Sequence, residues 1–366
     1  MPRHRSLNLQ KFIDSLPESL LEEYFTKPSP GLTPPAYNYD SINKFLDEIP
    51  DENLKSKILE DFTHINDICE KTMNYVVRAY HKYGIRMPEE AKKEEMAMDL
   101  FLHHAEAFDY AYDYYCLYKS TSKMSHHNIE SNNFQLTDQK INLFKQKVSE
   151  FYSELAKGQE CIIRYHDDED QAVIVVIHGS YKRSLVVWEG QQITTKFFRP
   201  ANEDILQFDK KKSVLSLKAP YKKDKENYIA CFTSAIIEDE TQEEREDRDV
   251  TYTLEPLQNG TFNFEGNEVI TDILLLEIKL AMRGSTAPTI KLKSSDIRET
   301  LDKDISGVRL DSGELVHAKF KFTIELDNRP RNITFEITPP NVTDLTKQQH
   351  ADIIADYLKE NGVKLV

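Results

Sequence analysis

The stretch TDILLLEIKLAMRG, Thr271 to Gly284, reads as one long strand with Glu277, one spacer and Lys279 at its centre. A carboxylate and a lysine two residues apart share a face of a strand, because side chains alternate with a period of two. In metal-dependent nucleases of the D…ExK type, such a Glu and an Asp from another strand bind Mg²⁺, and the Lys stabilises charge developing on the phosphodiester. Asp272 lies five residues before Glu277 and points to the other face. Glu265 in FNFEG is the acid expected on a separate strand. Two carboxylates sharing one Mg²⁺ at the usual ligand distance of ~2.0–2.1 Å would stand within about 5 Å of each other. The simpler reading places Leu274, Leu276, Ile278 and Leu280 on a core and turns Leu275, Glu277, Lys279 and Ala281 outward. Glu277 and Lys279 are then a surface pair.

Three further constellations could carry chemistry. His64, His103 and Glu106 lie on helical segments whose facing seams could hold a metal, since Asp61-x-x-His64 and His103-x-x-Glu106 approach the inward spacing such sites use. Only His103 of these falls on a seam, and a satisfied core histidine is the plainer reading. VIHGSYKRSL places His178 at a strand end beside Ser180, with Asp167 to Asp170 as the nearby acids, but no GxSxG elbow is present. DKKKSVLSLKAPYKKDKE, Asp209 to Glu226, holds seven lysines against three acids. Lys210, Lys211, Lys212, Lys222 and Lys223, interleaved with Tyr221 and joined by Lys182 and Arg183, would suit nucleic acid or a phosphorylated ligand. A lysine-protected sheet edge is the plainer alternative.

The elements that must position these residues sit in a chain of 366 residues with a formal net charge of -15. Such a charge repels phosphate backbones on average, so any nucleic-acid contact must be local. The four cysteines form no CxxC pair and fit reduced core residues of a cytosolic protein. No apolar run approaches the ~20 residues of a membrane span. No Walker loop, GxGxxG, HExxH, zinc-spaced set or EF-hand loop is present. No cofactor is expected, apart from Mg²⁺ if the strand pair is a nuclease site.

Hydrophobic periodicity divides the chain. Residues 1–39 read as two short helices and a proline-rich linker. Residues 40–158 read as a helical domain whose seams, Ile58, Phe62, Ile65, Cys69, Thr72, Val76 and Leu100, His103, Ala107, Tyr110, Tyr114, Leu117, predict two long helices in an antiparallel hairpin. STSKMSHHNIESNN reads as a loop, and a third helix over LTDQKINLFKQKVSEFYSELAKG closes this domain. From Glu160 the period changes to two. Residues 159–237 form a first β-rich module, 238–249 an acidic linker with eight acids against two arginines, and 250–366 a second β-rich module with a C-terminal helix. Both β stretches end as strand, turn, strand, proline, helix, as a duplicated unit would. The fold class is therefore α+β, helical first and mostly antiparallel β after.

With no convergent catalytic set, the expected role is a non-enzymatic interaction or scaffold subunit of a cytosolic multiprotein assembly. By analogy alone it resembles in type the accessory subunits of prokaryotic nucleic-acid-processing or antiviral defence systems. A protein partner is expected, nucleic acid is the alternative partner through the local basic patch, and no membrane is implied.

Overall fold

The structure is a computed structural model that describes every residue except 1–5, 27–33, 35, 71–73, 120–122, 132–133, 240–248, 250, 283–285, 304–306, 327–328 and 366. The chain divides into two compact units, Met1–Thr121 and Ser122–Val366. Most of the proline-rich linker and of the acidic linker lies outside the described residues.

The first unit contains seven helices among its described residues: α1 (Leu9–Asp14), α2 (Glu18–Thr26), α3 (Tyr39–Glu48), α4 (Glu52–Ile68), α5 (Tyr75–Lys82), α6 (Lys93–His103) and α7 (Ala105–Lys119). Most of the seams pack as their spacing requires, with Phe62, Ile65, Val76, Leu100, Tyr110 and Tyr114 all buried; His103 is the exception and is exposed, and Thr72 lies outside the described residues. The two expected long helices are each divided, so the hairpin is built from four. α4 ends at Cys69, and α6 ends at His104, whose φ of -136° and ψ of 62° leave the helical region. Phe101 sits edge-on against Phe108 across that break, with ring centroids 5.1 Å apart, which fills the bend with apolar contact.

The second unit is built on a ten-stranded antiparallel sheet. Its elements are β1 (Met124–Asn128), α8 (Asp138–Glu154), β2 (Cys161–Asp167), β3 (Gln171–Gly179), β4 (Arg183–Glu189), β5 (Gln192–Phe198), β6 (Ala201–Asp209), β7 (Val214–Lys218), α9 (Lys222–Phe232), α10 (Glu255–Gln258), β8 (Ile270–Met282), β9 (Thr289–Lys293), α11 (Ile297–Asp302), β10 (Gly313–Leu326), β11 (Arg329–Thr338), β12 (Val342–Thr343) and α12 (Ala351–Glu360). The order across the sheet is β2-β3-β6-β7-β1-β12-β11-β10-β8-β9, and β4 pairs only with β5. The two β modules thus share one sheet.

Four segments differ from expectation. MSHHN is β1, at the centre of the sheet. Its polar residues tolerate burial because His126 meets the Ser216 hydroxyl at 2.8 Å and His127 meets Ser125 at 3.0 Å. α8, assigned by sequence to residues 40–158, belongs to the second unit, where Phe144, Val148 and Tyr152 pack on the sheet. Thr137 caps it by accepting from the Lys140 amide. TLEPL and FNFEG, expected as strands, hold the short helix α10 and an irregular segment.

Two cores lie on opposite faces of the sheet. Leu206 opposite Leu217 and Phe208 opposite Leu215 join the core under α8 and α9. Their neighbour Val214 points the other way and packs against the core under α12, with Ile337, Ala318, Phe320 and Phe335. On α12 the buried residues are Ile354, Tyr357 and Leu358, part of the apolar face its spacing implies.

Candidate functional site

Glu277 sits on the sheet face away from the α12 core. Leu276 has no partner on β10, because Lys319 pairs Glu277 while Phe320 pairs Leu275. This bulge resets the alternation. Ile273, Leu275, Ile278 and Leu280 therefore face the core, rather than Leu274 and Leu276. Glu277 is not paired with Lys279. Its carboxylate meets Lys291 at 2.5 Å and Lys293 at 3.0 Å, both on β9, and His317 Nε2 at 3.5 Å. Burial alone would raise its pKa; the two ammonium groups overcome this and hold it below the usual carboxylate range. Glu265 lies in the irregular segment near Tyr357, by the other face, and is not among the partners of Glu277. Among the described residues no group of three or more His, Cys, Asp and Glu could hold a metal ion.

The remaining sequence candidates scatter. His64 packs on Tyr112 with ring centroids 4.3 Å apart. His103 bridges Asp99 at 2.9 Å and Glu23 at 2.8 Å, and Glu106 is exposed at the start of α7. The basic stretch Asp209 to Glu226 splits between opposite ends of β7. Lys210, Lys211 and Lys212 form the β6–β7 turn, each paired with an acid: Asp167 at 2.6 Å, Asp170 at 2.6 Å and Asp352 at 2.7 Å. Tyr221, Lys222 and Lys223 follow the far end of β7.

At that far end Lys157 Nζ bonds Asp224 at 3.1 Å, buried, with the rings of Tyr152, Tyr181 and Tyr221 at 4.9, 5.6 and 5.4 Å. Next to it, His178 Nδ1 meets the Gly179 carbonyl at 2.8 Å, and Nε2 meets Asp204 at 3.1 Å. Asp204 also accepts from the Tyr228 hydroxyl at 3.0 Å, and Tyr152 stacks on the His178 ring at 3.8 Å. Burial and the Asp204 charge push both phenols far above their ordinary range. Asp204 comes from β6, the strand paired with β3, so His178 is oriented by an acid that local sequence could not reveal; Asp167 to Asp170 are not its partners.

This network forms the base of the β4–β5 ribbon. The Ser180 amide donates to the Pro200 carbonyl at 2.8 Å, and Arg199 donates to the carbonyls of Ser180 at 2.7 Å and Ala156 at 2.9 Å. Gly179 is required here, since a Cβ would stand 2.3 Å from the Lys157 carbonyl oxygen. Gly190, with φ +63°, makes the two-residue turn at the tip.

The ribbon itself is the feature the sequence did not disclose. Directly opposite residues share a face. One face carries Ser184/Phe197, Val186/Thr195 and Trp188/Ile193, with no charged residue. Its large side chains are open to solvent: Val186 66%, Trp188 71%, Ile193 62% and Phe197 78% exposed. The other face mixes Arg183, Leu185, Lys196 and Phe198.

No protein-family model matches the chain, and no curated protein matches its sequence.

Proposed function

We propose that this chain is a non-enzymatic interaction protein that docks a protein partner through the charge-free face of the β4–β5 ribbon. The observation that carries this reading is the row Val186, Trp188, Ile193 and Phe197, exposed together on one charge-free face of the ribbon. Isolated hairpins are marginal in water, and contiguous exposed apolar faces mark contact sites. Covering one such side chain is worth about 1.5–3 kcal/mol. Trp and Phe are the residues that anchor protein interfaces. A phosphate backbone would find no cation on this face. The tip, Gly190-Gln191-Gln192, would bring polar groups first into a bilayer, so the matching surface is an uncharged apolar groove on a protein. The clamped base fixes the ribbon before contact, which lowers the ordering cost of binding.

The test places a photoreactive side chain at Phe197 and, as control, at the exposed Leu143 on α8. A discrete protein adduct from position 197 alone is expected. That protein, purified, binds the chain, and Trp188→Ser with Phe197→Ser weakens binding at least about 100-fold, the loss of two hot spots. Equal binding by the double variant, or equal adducts from both positions, would overturn the reading.

A further inference from the structure

The sheet face that α8 and α9 cover over β2, β3, β6 and β7 continues across β11, β10, β8 and β9, where it carries lysines. The registers set them in rows. Lys291, Lys279 and His317 form one row across β9, β8 and β10. Lys293, Glu277, Lys319 and Glu336 form the next, and Lys321 stands in the third between Leu274 and Thr334. Lys123, just before β1, reaches Glu336 at 2.8 Å. Both acids within the face are consumed by lysines: Glu277 by Lys291 and Lys293, Glu336 by Lys123 and by Lys319 at 3.0 Å. Glu314 stands at one end of the face, and Asp272 and Glu325 at the other.

Two lysines are left over. Among the described residues no acid lies within 4.0 Å of Lys279 or Lys321. Lys279 is exposed and is flanked directly by Lys291 on one strand and His317 on the other. Lys279 and Lys291 are like charges directly opposite each other, an arrangement that is destabilising across a sheet. In a chain of net charge -15, acids are abundant, yet among the described residues none forms an ion pair with either lysine. Lys291 and Lys293 on β9, and Lys319 and Lys321 on β10, are two residues and so about 6.6 Å apart along their strands, which matches charges along an extended phosphodiester chain. Among the described residues it offers no Phe, Tyr or Trp ring on which a base could stack.

We propose that this face of β8–β11 binds the phosphate backbone of a nucleic acid, without reading its bases, through Lys279 and Lys321 with Lys291, Lys293 and Lys319 beside them. The proposal is independent of the ribbon, which lies on other strands.

The experiment measures anisotropy of a labelled DNA oligonucleotide of mixed sequence with the full chain, over a range of salt. The expected result is weak, sequence-indifferent binding with a log–log salt slope of about -3, for roughly three to four phosphates neutralised. Lys279→Ala and Lys321→Ala each reduce the slope by about 1. Lys279→Glu abolishes binding while raising the thermal midpoint by about 1–3 °C, since the new acid pairs with Lys291. Lys211→Ala, at the β6–β7 turn, leaves binding unchanged. Absence of binding, binding untouched by the Lys279 and Lys321 changes, or equal binding of polyglutamate at the same charge would overturn the proposal. The gain in stability shows independently that Lys279→Glu folds.

Discussion

The β10–β11 hairpin and the β4–β5 ribbon are both antiparallel pairs with one apolar face, and they meet opposite fates. On β10–β11, Phe320, Phe322 and Phe335 are 0% exposed and interlock, with Phe320 and Phe335 stacked at 5.4 Å and Phe322 edge-on to Tyr357 of α12 at 5.9 Å. On β4–β5, Trp188 and Phe197 are 71% and 78% exposed. The difference is the cover: α12 lies on one hairpin, and among the described residues of the second unit no helix buries the other. Alternation in sequence specifies a face that needs covering, and it does not say whether the cover is in the same chain.

The largest effect that could break this comparison is a pair of truncations. Phe320→Ala removes a fully buried ring and should cost about 3–5 kcal/mol. Phe197→Ala should change stability by no more than about 0.5 kcal/mol. Urea midpoints of the two variants decide; similar losses would mean that the ribbon is packed in the isolated chain.

Next in size is the ribbon base. Asp204→Asn leaves His178 and Tyr228 without their charged acceptor, an expected loss of about 1–3 kcal/mol. Amide exchange in β4–β5 should quicken beyond that of β10–β11. Uniform acceleration of both would separate the base network from the ribbon.

The smallest expected effect concerns Glu336. Burial alone would raise its pKa, but Lys123 and Lys319 more than offset this and hold it at about 2. The unfolded value is near 4.3. A group depressed on folding contributes stability that is fully present above the unfolded pKa and lost as pH falls through the folded one. The Glu336→Gln penalty, under about 1 kcal/mol at neutral pH because the pair is partly solvated, should therefore shrink between about pH 4.5 and 2. Urea midpoints across that range measure it, and a penalty constant with pH contradicts the pairing.

Much of the frame was legible because it rests on local periodicity. The helical seams around Phe62 and Tyr110, the strands from Cys161 onward and the face of α12 all follow from spacing. What was hidden depends on partners distant in sequence. β1 looked like a loop because Ser125, His126 and His127 are polar, and their burial is permitted by Ser216 from β7 and by Asp249. The bulge at Leu276 is set by pairing with β10, so the parity of Leu274 to Leu276 could not be read from one strand. Among site residues, Lys210 to Lys223 were adjacent in sequence but are separated by the length of β7. Lys279, Lys291 and Lys319 are far apart in sequence and share one face. The ribbon strands were visible as strands, but their exposure was not, because alternation is blind to what lies above it.

The most direct measurement of the central claim is acrylamide quenching of Trp188, the only tryptophan in the chain. In the isolated chain Trp188 should be fully accessible to the quencher, and on complex formation with the cross-linked partner it should become strongly protected with its emission shifted to shorter wavelength. A Trp188 already shielded in the isolated chain, or one still fully quenched in the complex, would contradict the assignment of this ribbon as the docking element.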